Sequence, residues 1–443
     1  MQKMILIWIL FIIASTTSLS QRVEDYRYWD SLTYKLYLDS DWKNLSQKAT
    51  ESINRGYDYY YMRMRLGISL YERKNYLSAL KHFRKALESN EGDPIALEYI
   101  YYSYLLSGRD LNSRAVRADF GSILRENTAA TAGSTRISAD YMCTNSQSDD
   151  LITAKETVYG WGLPGNLVIP MYFTNLSLSA SFPLSDFTTL FQSVTGMERT
   201  NYFYYNDGIN SSELPEQKVR QYQYYLSLIF GNRKGLVVSP AFHYINVRYP
   251  LIYFSGSGIP PAAYTYINTD HNIVTGISIN QLAGLFEFQI SAHYMYLNYA
   301  NHLQGSAGIY LYPTGNNHLY LGISYFPRYS ETGSGWDFNS SSRGLLGIGI
   351  SGRIWLEFSG MIGDMTNFVY KNGYIVYNGV EAADRMANID IGIPLGGSGL
   401  VFYGGAGFVR QYCSYVPEPG IIVPNYTQKI NSIKILGGLS WKF

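Results

Sequence analysis

The sequence is poor in charged residues and in cysteine. Only 16% of its 443 residues are Asp, Glu, Lys or Arg, against about 25% in an ordinary soluble domain, and the formal net charge is +1. Two cysteines are too few for a disulfide scaffold and lack the spacing of metal ligands. The absence of a basic stripe excludes nucleic acid as a partner. We expect no metal site and no cofactor.

A long apolar run is also missing beyond residue 20, which excludes a membrane-spanning helix there. The one marked apolar run, Met4–Ala14, follows the positive Lys3 and precedes small residues at 18–20. It is too short to cross a bilayer and has the flanks of a secretory signal peptide. We predict that residues 1–20 are this signal peptide and that the mature chain is exported.

Aromatic residues are in excess: they make up 16% of the chain, with 43 tyrosines, and 41 glycines accompany them. The composition changes along the chain. Residues 21–127 are charged and helix-forming, whereas residues 134–443 are rich in Tyr, Gly, Ser, Ile and Leu and carry few charges. The small residues 128–133 (TAATAG) separate these two segments and predict a linker.

The first segment repeats with a period of 34 residues. Gly67, Tyr76, Ala79 and Phe83 fall at the offsets of the tetratricopeptide repeat, in which small residues let two helices approach and large residues fill the seam. An unrelated pair of helical hairpins is the alternative. The segment resembles about two and a half repeats, over residues 26–59, 60–93 and 94–127.

The repeat resemblance implies a concave face formed by the first helix of each repeat. An aromatic groove of this kind binds an extended peptide or stacks on sugar rings, and a periplasmic protein partner would dock there. The alternative is that these side chains pack against neighbouring helices. The groove candidates are Tyr34, Tyr37, Tyr61, Ile68, Tyr71 and Tyr102.

The second segment alternates with a period of two, which predicts strands. In the stretch LFEFQISAHYMY, Phe286, Phe288 and Ile290 share one face, and Glu287 and Gln289 share the other. A soluble β-sandwich would give the same alternation. Isolated charges on the polar faces favour a wet lumen instead, because they would be costly in a sandwich core. The lumen candidates are Glu287, His293, Arg353, Glu357, Asp390 and Lys434.

The connections between the predicted strands alternate between short and long, and tyrosines cluster near the strand ends. Both features are typical of an outer-membrane barrel with tight periplasmic turns, larger external loops and aromatic girdles. We predict an antiparallel barrel of about fourteen strands, range 12–16, over residues 134–443, with the repeats and the C-terminus in the periplasm. Residues 149–165 are compatible with one more hairpin. The predicted long connections are residues 206–217, 250–270, 327–342, 364–385 and 412–427.

The last predicted strand ends on an aromatic residue. Gly438, Trp441 and Phe443 resemble the C-terminal β-signal of outer-membrane barrels, which has a glycine followed by aromatics at the third-last and last positions. The resemblance implies that the barrel-assembly machinery reads these residues during biogenesis, and that outer-membrane lipid surrounds the product.

Two further pairs of residues have side chains suited to chemistry. Ser291 lies two residues before His293 on one face, as in a hydrolytic pair, but no acid stands at a matching spacing, and we predict no enzymatic activity. Cys143 and Cys413 fall at external strand ends. A disulfide suits an exported protein, but a separation of two strands, about 10 Å, exceeds the usual Cα reach, so their bonding stays open.

The architecture resembles Gram-negative outer-membrane proteins that join periplasmic tetratricopeptide repeats to a C-terminal barrel, such as the YaiO-like barrels and, more distantly, the polysaccharide-export porins. The resemblance implies export or transport across the outer membrane, with the repeats recruiting a periplasmic partner or guiding a polysaccharide or peptide cargo. The competing hypothesis is a non-conducting anchor whose repeats scaffold a secretion or envelope-assembly complex.

The alternation makes a prediction about solubility. Residues 134–443, purified without detergent, should aggregate, because the apolar rows of a closed sheet are suited to lipid and not to water. Gel filtration measures this directly. A monodisperse soluble domain would contradict the barrel and both proposed roles.

Overall fold

The computed structural model describes residues 25–128, 134–161, 164–206, 211–255, 262–350, 354–379, 383–397, 399–417 and 428–443. These residues form two compact units that divide at about residue 133. The predicted signal peptide, residues 129–133 of the predicted linker and the lumen candidate Arg353 lie outside the described residues. Among the helices that are described, none combines the length and the apolar character needed to cross a membrane.

The first unit is a series of helices in which each helix from α2 to α5 contacts the next. Helix starts recur at intervals of 34 residues, at Trp42, Tyr76 and Asp110 and again at Tyr60 and Pro94. The helices are α1 (residues 25–38), α2 (Trp42–Asn54), α3 (Tyr60–Glu72), α4 (Tyr76–Leu87), α5 (Pro94–Leu106), α6 (Asp110–Arg117) and α7 (Ser122–Asn127).

Capping side chains fix where these helices begin. Asp41, Asn75 and Asp93 each accept a hydrogen bond of 3.2 Å from a backbone N–H in the first turn of the following helix. Ser40 and Lys74, one period apart, have left-handed φ angles of 53° and 60° in the turns between helices. The same turn and the same type of cap therefore recur one period apart.

The helices pair closely where the sequence has its smallest residues. A Cβ atom built on Gly67 would lie 2.6 Å from the ring of Phe83, which is fully buried. Ala79 is fully buried as well. The expected close approach of α3 and α4 at Gly67 is thus observed.

The second unit is a closed antiparallel barrel. β1 pairs with both β2 and β17, so the wall has no free edge. Fourteen strands form the wall, which confirms the predicted fold class of a helical region followed by a barrel. Three short strands, β12, β13 and β16, are additional. The strands are β1 (Arg136–Ser146), β2 (Gly165–Ser185), β3 (Thr188–Asn206), β4 (Ser211–Gly231), β5 (Leu236–Ser255), β6 (Ala262–Ala283), β7 (Phe286–Leu297), β8 (Ala300–Leu311), β9 (Leu319–Thr332), β10 (Gly335–Ile350), β11 (Ile354–Gly363), β12 (Phe368–Tyr370), β13 (Ile375–Tyr377), β14 (Ala383–Pro394), β15 (Leu400–Tyr412), β16 (Ser414–Pro417) and β17 (Lys429–Lys442).

The outward face of the wall is apolar. Ile290, Ile323 and Ile362 are 55%, 66% and 62% exposed, although each lies in the middle or at the end of a fully paired strand. Such rows of exposed aliphatic and aromatic side chains are stable when lipid is the solvent. The alternate residues point inward and are mostly polar.

Three of the predicted long connections are wrong. Residues 206–217 and 250–270 are mostly strand, and residues 327–342 are strand except for a two-residue turn at 333–334. Strands β2 to β6 have 19–22 residues, about twice the 9–11 that cross the hydrocarbon layer. Beyond that layer the outward residues need not be apolar, so the alternation that marks a strand in the sequence fades.

The segment between β1 and β2 is a helix and not a further hairpin. This helix, α8 (Ser148–Trp161), contacts β2 and β17. Its Ala154 is buried in a cluster with Ile169 and Ile430. Asp150 accepts hydrogen bonds from the backbone N–H and the side chain of Asn431, at 2.8 and 2.9 Å.

Aromatic rings on the inner wall lie across glycines of the next strand. Tyr310 faces Gly322, Tyr320 faces Gly347, Trp355 faces Gly392, and Tyr403 faces Gly438, each as a direct cross-strand pair. At Gly322, Gly347 and Gly438 an added Cβ atom would overlap the facing ring. The abundance of tyrosine and glycine in the sequence is therefore partly a packing requirement of the inner wall.

This packing predicts a difference between two glycines of β10. Gly347→Ala should destabilise the barrel by about 1–3 kcal/mol, because the new methyl group overlaps the Tyr320 ring. Gly344→Ala is the matched control, since nothing lies within 4 Å of its Cβ position. Denaturant unfolding in detergent measures both. Equal stability of the two variants would contradict this account of the pairs.

Candidate functional site

The lumen candidates predicted from the sequence, apart from Arg353, all lie on the inner wall of the barrel. Glu287 accepts hydrogen bonds from Gln289 and from Tyr312, at 3.3 and 3.2 Å. His293 is 5% exposed. Asp390 and Lys434 line a cavity on the other side of the barrel. The structure thus distributes these residues round the inner wall and does not gather them into one site.

Glu357 is the predicted lumen residue that is paired with a buried arginine. Its carboxylate forms an ion pair of 3.0 Å with Arg343 and accepts a hydrogen bond of 2.8 Å from the Tyr320 hydroxyl. Arg343 is 7% exposed, and its guanidinium lies 5.0 Å from the centre of the Tyr370 ring. A pair buried to this degree needs its remaining donors and acceptors satisfied, and these contacts supply that.

The connection between β11 and β14 folds into the barrel. In it, β12 and β13 form a small antiparallel hairpin with Val369 opposite Val376. We call residues 364–379 the plug hairpin. Its residues contact inward side chains of β3, β4, β5, β8, β9 and β10. Because so much of the wall surrounds one hairpin, the hairpin lies inside the lumen.

The side-chain carboxamide of Gln304 pairs with the backbone of Val369, at the centre of the plug hairpin, as a neighbouring strand would. The Val369 N–H donates to Oε1 of Gln304 at 3.0 Å, and the Val369 carbonyl accepts from Nε2 of Gln304 at 2.6 Å. Both backbone groups of this buried residue are therefore satisfied by a single side chain of β8.

The tip of the plug hairpin is held by the wall on the β4 and β5 side. His243, which is 1% exposed, donates from Nδ1 to the carbonyl of Gly373 at 2.8 Å. The Tyr225 hydroxyl donates to the carbonyl of Asn372 at 3.1 Å, and the Asn372 side chain donates to the carbonyl of Ser239 at 3.0 Å. Since a carbonyl only accepts, the proton of His243 is on Nδ1.

The base of the plug hairpin is held by a buried ion pair. Arg328 is 2% exposed, and its guanidinium lies 3.1 Å from the carboxylate of Asp364, the residue that follows β11. Ser341 donates to the Asp364 carbonyl at 2.7 Å. Asn298 donates to the side chain of Asn367 at 2.8 Å. Polar contacts therefore hold the hairpin at both ends.

Apolar contacts hold the middle of the plug hairpin against the barrel wall. Met365, Phe368 and Val369 are each 1% exposed, and they belong to two clusters formed with the wall. Val376 joins the second cluster with Ile245. Burial of these side chains, and not the hydrogen bonds alone, keeps the plug hairpin seated.

The described residues enclose a smaller and a larger cavity beside the plug hairpin. The smaller, of about 290 Å³, lies between the hairpin tip and the wall from β6 to β9 and includes His293. The larger, of about 500 Å³, lies against β1–β4, β10, β11, β14, β15 and β17 and includes Asp390 and Lys434. Methionine, an adaptable side chain, is concentrated in the larger cavity. The methionines that line it are Met142, Met171, Met197, Met361, Met365 and Met386.

The residues considered for chemistry form no catalytic set. The Ser291 hydroxyl lies 3.5 Å from Nδ1 of His293 and only 2.6 Å from the Ser306 hydroxyl. Cys143 is half-buried, Cys413 is buried, and no disulfide joins them. Among the residues that the structure describes, no group of three His, Cys, Asp or Glu side chains is placed to hold a metal ion.

The C-terminal residues close the barrel. Trp441 and Phe443 are 51% and 57% exposed on the outward face, and Gly438 lies under the Tyr403 ring on the inward face. The Phe443 N–H donates to the carbonyl of Thr135, just before β1, at 3.0 Å. The chain therefore enters and leaves the barrel at the same rim.

The groove candidates of the helical unit differ in exposure. Tyr34 and Tyr61 are 50% and 62% exposed, and the Arg65 guanidinium lies over the Tyr34 ring. Ile68 is buried. Tyr71 packs edge-on against Tyr76 and Tyr99. Tyr37 and Tyr102 are half-buried and contact Trp42 and Tyr101.

Comparison with known proteins gives similarities in structure only. No protein-family model matches the sequence, and no curated protein matches it. Among solved structures, similar folds are the Ralstonia pickettii toluene transporter TbuX (6% identity, TM-score 0.45, 70% of this chain and 90% of that chain), a Pseudomonas aeruginosa FadL homologue (9%, 0.40, 72% and 93%) and the translocator domain of the autotransporter NalP from Neisseria meningitidis (8%, 0.33, 72% and 90%). The likeness is one of fold alone.

Sequence reasoning missed the plug hairpin and its wall contacts. The sequence predicts an external loop for residues 364–385, whereas residues 364–379 lie in the lumen. The signal was present: in FVYKNGYIVY (residues 368–377) an Asn-Gly pair stands between two alternating apolar runs, which is a strong hairpin pattern. No pattern in the sequence identifies Arg328, Gln304 or His243 as its partners.

A half-buried histidine in the helical unit, His82, predicts a pH dependence. Burial and the neighbouring Arg63 lower the pKa of His82 from about 6.5 to about 4. Arg63 lies 3.1 Å from Nδ1 of His82, and since arginine only donates, His82 is neutral. The hydrogen-bonded Arg63 also lowers the pKa of the Asp58 carboxyl. Protonation of Asp58 therefore affects stability only below about pH 4, outside the range in which His82 acts.

The unfolded chain thus binds a proton at His82 before the folded chain does, so helix stability should be complete above about pH 6.5 and fall towards pH 4. Thermal melts of the full chain followed by circular dichroism at 222 nm measure this. His82→Gln should flatten the dependence in that window. An unchanged slope in the variant would contradict the assignment.

Proposed function

We propose that this chain is an outer-membrane barrel that carries solutes across the membrane through a lumen gated by the plug hairpin, with the helical unit in the periplasm. The observation that carries the proposal is a water-compatible inner wall occupied by a segment held only by reversible contacts. Gln304, His243 and Arg328 bind the plug hairpin through hydrogen bonds and an ion pair. Apart from its main-chain connections to β11 and β14, no covalent cross-link to the wall is available to the plug hairpin, because residues 364–379 contain no cysteine.

The dimensions of the barrel support a passage. Eight strands enclose only side chains and sixteen leave an open channel, so fourteen strands leave room for a narrow path or for an inserted segment. Here an inserted segment takes part of that room, and cavities of about 290 and 500 Å³ remain beside it. Displacement of the hairpin would join these spaces into one path.

The proposed periplasmic position of the helical unit follows from the connections of the barrel. The chain enters β1 at the rim where Thr135 meets Phe443. The connections of two to seven residues between β2 and β3, β4 and β5, β6 and β7, and β8 and β9 lie at this same rim. The opposite rim also has two-residue connections, between β7 and β8 and between β9 and β10, but only that rim carries long ones, from β1 to β2, from β11 to β14 and from β15 to β17. Short connections throughout one rim are typical of the periplasmic side, and long connections are typical of the external side. Exposed Tyr34 and Tyr61 would then present an aromatic surface to a periplasmic protein or to the cargo.

A non-conducting anchor is the second candidate. The apolar seating of Phe368 and Met365 favours it, because a hairpin with such deeply buried residues need not leave the lumen. In this case the barrel holds the helical unit at the membrane, and that unit scaffolds a secretion or envelope-assembly complex. The lack of enzymatic activity is part of both proposals.

Conductance across planar bilayers distinguishes the two. The purified full chain should show small, intermittent currents, and a variant in which a short Gly-Ser linker replaces residues 366–378 should show large, steady ones. A third variant, Q304C/V369C in a C143S/C413S background and joined by a short bifunctional maleimide, should be silent. The C143S/C413S protein itself is the matched control and should behave as the wild type.

The variant with the Gly-Ser linker in place of residues 366–378 decides between transport and anchoring. If it folds, as judged by heat-modifiable migration in gels, and carries no current, transport is refuted. Periplasmic proteins that co-purify with the full chain and are lost when residues 21–127 are deleted would then support the anchor.

A further inference from the structure

We propose that the smaller cavity is a binding site for a small oxyanion, either a carboxylate or an inorganic phosphate, with Lys371 at the tip of the plug hairpin as its charged ligand. The cavity measures about 290 Å³ and lies between the hairpin tip and strands β6 to β9. A volume of this size is at the lower end of small-ligand sites. It suits a small solute and not a polymer.

The wall of this cavity is rich in hydrogen-bond donors. Ser278, Ser291 and Ser306 stand side by side on β6, β7 and β8 as direct cross-strand pairs, and Ser324 of β9 also lines the cavity. The Ser291 and Ser306 hydroxyls are 2.6 Å apart. Hydroxyl groups rotate to donate where an acceptor is offered. Carboxamides of Asn280, Gln289 and Gln304 complete the polar lining.

The sign of the charge selects an anion. Lys371 is the one side chain lining the cavity with a full positive charge, and none of the lining residues is Asp or Glu. Hard cations are bound by carboxylate and carbonyl oxygens, so a cation would find no carboxylate ligand here. Glu287 is the nearest acid along β7, and its carboxylate is engaged by Gln289 and Tyr312.

Lys371 is available to a ligand. Among the described residues no carboxylate lies within ion-pair distance of its amine, and the side chain is exposed to the lumen. Its amine lies 5.8 Å from the centre of the Tyr370 ring. Lys371 also borders the larger cavity, where its charge acts on Asp140 and Lys434, and where the Asp140 carboxylate accepts a hydrogen bond of 3.2 Å from the Tyr403 hydroxyl.

A second group points to a ligand. His293 is 5% exposed and lines the cavity, and its Nε2 has no hydrogen-bond partner of good geometry in the described chain, although Asn372 at the hairpin tip lies close enough to interact with the ring. A buried polar nitrogen without a partner costs free energy, which a bound oxyanion would recover by accepting its proton. Lys371 belongs to the plug hairpin and His293 to the wall, so the anion would bridge the gate and the barrel.

The site can exist in a closed barrel, but its role in permeation rests on the transport function proposed above. If the plug hairpin is a gate, the same anion that crosses the barrel meets Lys371 before the hairpin moves. The lumen would then select small anions over cations.

Equilibrium dialysis tests the site without requiring transport. The purified full chain in detergent is dialysed against labelled phosphate or labelled acetate at constant ionic strength, and saturable binding of one equivalent is expected for at least one of them. Lys371→Met should weaken that binding at least about tenfold, since a hydrogen bond to a charged group is lost. Lys371→Arg should retain it.

Two controls separate the site from its surroundings. Lys234→Met removes an exposed lysine in the turn between β4 and β5 and should leave binding unchanged. Asp140→Asn should also leave anion binding unchanged. A change in binding in this variant would place Lys371 in the larger cavity and overturn the proposal. Absence of saturable binding in the wild type, or equal binding by a folded Lys371→Met protein, overturns the proposal.

Conductance measured on the same preparations keeps the two proposals apart. A protein that binds the anion but carries no current, even without its plug hairpin, retains the site and loses the transport function. A protein that conducts but binds neither phosphate nor acetate loses the site alone.

Discussion

Closure of the sheet is the constraint on which the rest of the structure depends. In lipid, every backbone N–H and C=O must be paired within the protein, because no water is present to replace a missing partner. The eleven-residue register between β1 and β17, from Arg136–Lys442 to Ser146–Ser432, completes that pairing. Once the wall is closed, its outer face is set by lipid and its inner face by water.

This separation of solvents explains which parts of the fold could be predicted from the sequence. The outward rows were predictable because lipid requires an apolar residue at every second position, as Phe286, Phe288 and Ile290 illustrate. The tall extensions of β3 to β6 were not, because water on both sides removes that requirement. Helix α8 was not predicted either. Its 14 residues show no clear apolar period, and in composition they are compatible with a hairpin.

The plug hairpin escaped prediction for a different reason. Its residues alternate like those of a transmembrane strand, but their apolar side chains face the lumen wall and not lipid. Period and turn chemistry reveal a hairpin at Asn372-Gly373, and they do not say where it folds. Position depends on long-range partners such as Gln304 and Arg328, which have no local pattern. For the same reason the sequence could not show that Tyr71 packs between helices while Tyr61 stays exposed.

The balance of forces on the plug hairpin also follows from the two solvents. Its hydrogen bonds to the wall exchange for bonds to water when it leaves, so each contributes only about 0.5–1.5 kcal/mol net. Its buried apolar residues lose more, since about 25 cal/mol is lost for each Å² of apolar surface returned to water. Met365, Phe368 and Val369 therefore set the free energy of opening, and the polar contacts set the position of the closed state.

The most direct test is to measure which solvent, lipid or water, surrounds the side chains on each face of β7. Spin labels placed singly by I290C and by Q289C, in a C143S/C413S background and in lipid vesicles, report their accessibility to oxygen, which concentrates in lipid, and to a water-soluble nickel complex. The account predicts that the label at position 290 is accessible to oxygen and the label at position 289 to nickel. Equal access of the nickel complex to both positions would contradict a lipid-facing barrel with a wet interior.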